Sequence, residues 1–185
     1  MEYLFELDQM IFEWINLNWS NKVLDAIFIP VRNKYTWIPL YLAVVLFMIF
    51  KHKKNGIKWL ALLILTVILS DQISAGLIKP LVERIRPCNN LQISNSINVL
   101  VPCGRGYSFP SAHACNHFAL AFFALISLKQ KYKYLNRWLI PWAAIIAIAQ
   151  VYVGVHYPVD IFIGALLGIF IGYFTSLIHK KYFSL

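Results

Sequence analysis

Val153-Gly154-Val155-His156-Tyr157-Pro158-Val159-Asp160 separates two apolar runs, Trp138–Val155 and Val159–Ile178. Crossing a bilayer takes roughly 17–25 apolar residues. Two such runs joined by so short a break predict two membrane helices with a tight turn, and the turn carries a histidine and a carboxylate. Three further runs precede them, at Tyr35–Phe50, Ile57–Ile78 and Ala112–Leu128. With 59% hydrophobic residues and a mean hydropathy of +0.62, the 185-residue chain is too apolar for an ordinary soluble domain. The expected fold is all-α. It is a single integral-membrane domain over residues 1–185, a polytopic helix bundle with five to six spans.

The N-terminal region adds an amphipathic helix. Leu4, Leu7, Ile11, Phe12, Ile15 and Trp19 follow helical spacing with acids between them, as in a helix lying on the outer interface. Val23–Val31 is too short to span alone. Alternatively both pieces form a bent sixth span. Met1 to Asp8 carries Glu2, Glu6 and Asp8 and lacks the basic start and apolar core of a cleavable secretory signal.

The net charge of +9 is distributed in short segments between the apolar runs. Lys51-His52-Lys53-Lys54 with Lys58, then Lys129, Lys131, Lys133 and Arg137, then His179-Lys180-Lys181 alternate with the spans. Cytoplasmic loops carry such an excess. The segment Lys79–Ser111 and the turn near His156 then fall at the opposite face, the periplasmic or outer side of a bacterial inner membrane. A nucleic-acid partner needs a basic face on a soluble domain, which this chain lacks. The expected partners are the lipid bilayer and a lipid substrate, with no obligatory protein partner.

Three polar blocks meet at that outer face, and each carries groups that handle phosphate. In the first, Lys79, Arg84 and Arg86 can neutralise phosphate, with arginine suited to a bidentate grip. Otherwise they are snorkelling basic residues. In the second, Ser111, Ala112 and His113 stand at the start of a span, where free N–H groups bind anions. His113 can protonate a leaving oxygen there; the alternative is a serine N-cap beside an interfacial histidine. In the third, His156 and Asp160 are four apart, so a helix places them on one face. Asp160 then either orients His156 for nucleophilic attack or caps the next helix. His113 and His117, also four apart, admit a metal site with His156 and Asp160. No HExxH-like base accompanies them, and no metal or cofactor is expected.

With these residues in place, the chain resembles the type 2 phosphatidic acid phosphatase family of membrane lipid phosphatases, which share an active site with vanadium-dependent haloperoxidases. The family's motifs are K-x6-R-P, P-S-G-H and S-R-x5-H-x3-D. The first is intact from Lys79 to Arg86-Pro87. The second is Pro110-Ser111-Ala112-His113, with alanine for glycine. The third ends intact at His156 and Asp160. The resemblance implies a metal-independent lipid phosphatase acting at the outer leaflet through a phosphohistidine. His156 would be the nucleophile, Asp160 its orienter and His113 the acid for the leaving group. Lys79, Arg86, Ser111 and the Ala112 amide would hold phosphate. Small members of the family point first to undecaprenyl diphosphate as substrate, then to phosphatidylglycerophosphate, phosphatidic acid and lipid A phosphates.

One departure bears on activity. The Ser-Arg pair of the third motif falls on Ala149-Gln150. Gln150 can donate a hydrogen bond but carries no charge. Losing one such donor costs about 3–4 kcal/mol of transition-state stabilisation. Arg84 or Arg105 substitutes in space, or the enzyme is weakened, or the protein binds lipid phosphate without turnover. A transporter is disfavoured, because the polar residues gather at one face.

Cys88 and Cys103 bracket the outer loop, where an oxidising compartment favours a disulfide over two free thiols. Cys115 reads as a small core residue. Asp71, inside the second span, either supports Lys79 and a polar cavity or packs by hydrogen bonds.

Overall fold

A computed structural model describes residues 2–128, 131, 132, 134 and 136–182. Lys129 and Lys133 of the second basic cluster lie outside the described residues. The described chain is helical. Its elements are α1 (Glu2–Asn18), α2 (Lys22–Arg32), α3 (Ile38–Asp71), α4 (Lys79–Val82), α5 (Ala112–Ser127), α6 (Asn136–Tyr152) and α7 (Pro158–Tyr182). A π-helical stretch, Gln72–Ile78, joins α3 to α4.

α3 is two arms. At Lys53 the backbone leaves the helical region (φ 48°, ψ −126°), and the chain folds back on itself within the basic cluster. Gly56 makes the reversal possible, since a Cβ there would stand 1.9 Å from the Met48 carbonyl oxygen. Met48, Trp59 and Leu60 then share one core cluster with Phe123 and Ala124 of α5. The two arms coincide with the first two apolar runs, and α5, α6 and α7 with the remaining three.

α5 and α7 form the centre of the bundle. Gly164, Gly168 and Gly172 recur every four residues on α7 and lie against Ser111, the residue before α5, and Cys115 and Ala119 of α5. Small residues at this spacing let two helix backbones approach closely, the usual basis of helix pairing in lipid. The outward faces stay apolar. Phe162, Leu166, Phe170 and Phe174 on α7 are exposed, as are Leu42, Leu46 and Phe50 on α3. Contiguous exposed apolar surface on this scale suits lipid and not water.

α1 turns two of its polar residues inward. Asp8 and Asn16 are buried with Phe12, while Leu4, Leu7 and Ile11 are exposed. Asn16 donates to the carbonyls of Asn98 (2.9 Å) and Tyr152 (2.8 Å) and accepts from the Asn98 N–H (2.7 Å). α2 is pinned to the end of α6, where Phe28 packs on Tyr152 with centroids 4.6 Å apart. The Tyr152 hydroxyl donates to Asp25 Oδ1 at 2.6 Å.

Candidate active site

The turn between α6 and α7 is wrapped around Gln150. Its carbonyl accepts the N–H groups of both Val155 (3.1 Å) and His156 (3.2 Å). Gly154 takes a left-handed φ of +86°, and a Cβ there would meet the Asn98 carbonyl oxygen at 2.7 Å. A side chain at 154 is therefore excluded twice, by conformation and by space. The turn leaves His156 buried.

Asp160 sits in the first turn of α7, four residues on. Its Oδ2 accepts the Tyr157 N–H at 2.9 Å, a reach back to the residue before the helix. The same oxygen lies 3.3 Å from His156 Nδ1. Capping and histidine orientation, alternatives in the sequence, are thus met by one carboxylate. The arrangement fits an Nδ1–H donor on His156, which leaves Nε2 with its lone pair. That lone pair faces Arg86, whose Nη1 is 3.1 Å away. Burial pushes the His156 imidazole down to about 4, although the hydrogen bond and charge of Asp160 act to raise it. His156 is therefore a neutral, oriented base at pH 7.

The charges of Arg86 and Lys79 both reach His156. Arg86 also donates to the carbonyls of Val155 and Gly106, both at 3.1 Å. Lys79 Nζ donates to the Tyr107 (2.7 Å) and Ser108 (3.2 Å) carbonyls, tying the first block to the loop that leads into the second. Ser111 is the N-cap of α5, and its hydroxyl accepts from the Ala114 N–H at 3.4 Å. Its own N–H donates to the Asp160 carbonyl at 2.9 Å, so the second and third blocks are joined directly. The N–H groups of Ala112 and His113, in the first turn of α5, precede the helix's own hydrogen-bond ladder, the position at which helix N-termini bind anions. His113 is partly buried and lines a cleft of about 370 Å³. Arg86 and His156 lie within electrostatic reach of it.

His117 belongs to the packing. Its Nδ1 is 2.8 Å from the His113 carbonyl and its Nε2 is 3.2 Å from the Tyr41 hydroxyl, so both ring nitrogens are engaged. Among the described residues, no group of three or more histidine, cysteine or acidic side chains has metal-binding geometry. Asp71 accepts from Asn116 Nδ2 at 3.0 Å and so packs α3 on α5, while its charge still reaches Lys79.

Two features were not legible in the motifs. Arg84 is fully committed, with Nη1 on Asp160 Oδ1 at 2.8 Å and Nη2 on Asp8 Oδ2 at 2.6 Å. It backs the carboxylate and cannot replace an arginine at 150. Arg105, the other candidate for that place, is exposed on the outer loop. Gln150 itself is 0% exposed, and its side-chain nitrogen and oxygen have no partner among the described residues.

A family model described as the PAP2 superfamily matches residues 59–184. The chain belongs to the PAP2 superfamily. It is an integral membrane phosphatase that hydrolyses phosphate esters, as the members of that family it matches do. A Bacteroides thetaiotaomicron protein named lipid A 4'-phosphatase is 33% identical, over 97% of this chain and 80% of its own. A Sulfolobus acidocaldarius undecaprenyl-diphosphatase is 30% identical, over 77% of this chain and 63% of its own. Among solved structures, Aquifex aeolicus LpxE superposes with a TM-score of 0.72 at 29% identity, covering 95% of this chain and 96% of its own.

Proposed function

We propose that this PAP2 protein removes a phosphate from a lipid of the lipid A class through a phosphohistidine on His156. The observation that carries the chemistry is the line Asp160–His156–Arg86, with the histidine lone pair aimed at a cation. Phosphate entering the site takes over the Arg86 guanidinium and brings its phosphorus to Nε2. Attack forms the P–N bond and breaks the ester P–O bond. His113 gives its proton to the departing lipid oxygen. Water then attacks the phosphohistidine, His113 takes the water's proton, and the P–N bond breaks. The products are the lipid alcohol and inorganic phosphate, and His156 is regenerated. Lys79, Ser111 and the amides at Ala112 and His113 complete the cradle.

The substrate choice follows the relative that matches more of both chains. Undecaprenyl diphosphate, first in the expectation from sequence, has the weaker support and becomes the second candidate. The site opens away from the cytoplasm of an inner membrane. That orientation is supported by Lys51, Lys53, Lys54 and Lys58 at the reversal of α3 and Lys180 and Lys181 at the end of α7, all at the end opposite His156. Those arms of α3, with α5, α6 and α7, make five spans, and α1 lies at the outer interface.

The test is phosphate release by purified protein in detergent and EDTA, from lipid A and undecaprenyl diphosphate in parallel, beside His156→Ala. The expected result is release from lipid A with the higher kcat/KM and its loss in the mutant. Higher kcat/KM on undecaprenyl diphosphate would reverse the substrate order, and release by His156→Ala would end the phosphohistidine mechanism.

A further inference from the structure

The third motif lacks its arginine, and neither Arg84 nor Arg105 is seen in its place. Arg84 is spent on two carboxylates and Arg105 is exposed on a loop. Gln150 is sealed from the surface and contributes no charge. The transferring phosphoryl group of a PAP2 phosphatase would then lack a cation on one side.

A third arginine stands beside the acid histidine. Arg32, the last residue of α2, lines the same cleft as His113, together with Lys34, Tyr35, Val101 and Pro102. It is only partly exposed, and its Nε is buried without a hydrogen-bond partner among the described residues. A guanidinium held with an unmet donor, at a cleft wall and beside a catalytic histidine, fits the binding of an anion that arrives with the substrate. Its charge reaches both His113 and Arg86, the latter a cation of the first motif. The placement is not loose. Phe28 and Asp25 fasten α2 to Tyr152, two residues beyond Gln150, and Val31 packs in the same cluster as Val153 and Val155.

We propose that Arg32 supplies the phosphate-binding cation that the family pattern places at position 150, reaching the phosphoryl group from α2 instead of α6. The inference rests on the reading of His156 and His113 as the site of phosphoryl transfer. It deepens that reading by assigning the charge the third motif lacks.

The test uses the full-length protein in detergent with two readouts, phosphate release from lipid A and binding of orthovanadate, which mimics the five-coordinate phosphorus of transfer. Arg32→Ala is expected to lower kcat at least a hundredfold. It should also weaken vanadate binding at least tenfold, with the melting temperature held. Adding Gln150→Arg to Arg32→Ala is expected to recover a tenfold or greater part of the lost rate. Arg32→Gln, which keeps much of the side chain's length, replaces Arg32→Ala should that variant lose its melting transition. Unchanged kcat and unchanged vanadate binding in either variant would overturn the assignment. Vanadate binding is read without turnover. Tight binding by wild type that is lost on Arg32→Ala therefore supports Arg32 even where lipid A is not hydrolysed, and the substrate reading then fails alone.

Discussion

Arg84 and Asp160 meet at 2.8 Å, on the carboxylate oxygen that His156 does not use. Asp160 is 0% exposed, and a buried carboxylate is costly unless its oxygens are matched. Here Oδ1 takes Arg84, and Oδ2 takes the Tyr157 N–H and faces His156. Arg84 passes the connection outward to Asp8, whose other oxygen accepts the Val159 N–H at 2.9 Å. The N-terminal helix thereby braces the carboxylate that sets the histidine.

Breaking this chain has graded consequences. Arg84→Met leaves two buried carboxylates without their cation, a loss of about 3–5 kcal/mol in stability. Asp8→Asn keeps an acceptor for Val159 but loosens Arg84. It is expected to reduce kcat several-fold with KM little changed, since substrate contacts stay in place. Steady-state kinetics and thermal melts of both variants check this. An Asp8→Asn protein with wild-type kcat and melting temperature would uncouple α1 from the site.

The His156 imidazole titrates near 4, lowered from its ordinary 6.5 chiefly by burial. The folded state thus binds fewer protons than the unfolded chain between these values. Stability from this group is full above about 6.5 and is lost as pH falls toward 4, by about 3 kcal/mol at 1.36 kcal/mol per pH unit. Histidine-labelled NMR should show His156 neutral at pH 6 with a midpoint near 4. A midpoint at 6.5 would contradict a buried, neutral His156 and with it the proposed nucleophile.

The membrane character and the motif triad are legible because their signals are local. Apolar runs mark α3, α5, α6 and α7, and the basic cluster at Lys51–Lys54 marks the reversal in α3. The side-chain partners are another matter. Asp8 reads as one acid among several on an amphipathic helix, and nothing in its spacing says that it meets Arg84 across 76 residues. Arg32 ends an apolar run too short to span and so carries no motif. Gly164, Gly168 and Gly172 do leave a signal, a four-residue repeat, whose partner on α5 only the packing reveals.

The disulfide between Cys88 and Cys103, with Cα atoms 5.9 Å apart and a sequence separation of 15, closes the outer loop beside Arg86. The loop carbonyl of Gly106 holds Arg86 Nε, and that of Tyr107 holds Lys79. Closure of a loop of this length is worth about 3 kcal/mol in the chain-entropy model. Reduction should therefore lower the melting temperature by roughly 6–12 °C. It should also raise KM, because Lys79 and Arg86, the proposed phosphate-binding cations, lose their anchors. Thiol counting with and without reductant, paired with melts and kinetics, checks both effects. Two thiols labelled in the unreduced protein would remove the bridge from the account.

The contact between α5 and α7 sets the register of the whole site, because the Ser111 N–H donates to the Asp160 carbonyl at 2.9 Å. A Cβ at Gly168 would stand 2.2 Å from the Cys115 carbonyl oxygen, and backbone cannot yield as a flexible side chain does. Gly168→Ala must therefore push the helices apart, at about 1–3 kcal/mol for such overpacking. The displacement carries Asp160 and Ser111 away from each other, so kcat should fall as well. Gly76→Ala is the matched control, because its Cβ would meet only the end of the Gln72 side chain at 3.3 Å. It is expected to change the melting temperature and kcat little. Equal losses in the two variants would mean that the glycine stripe on α7 does not position the site.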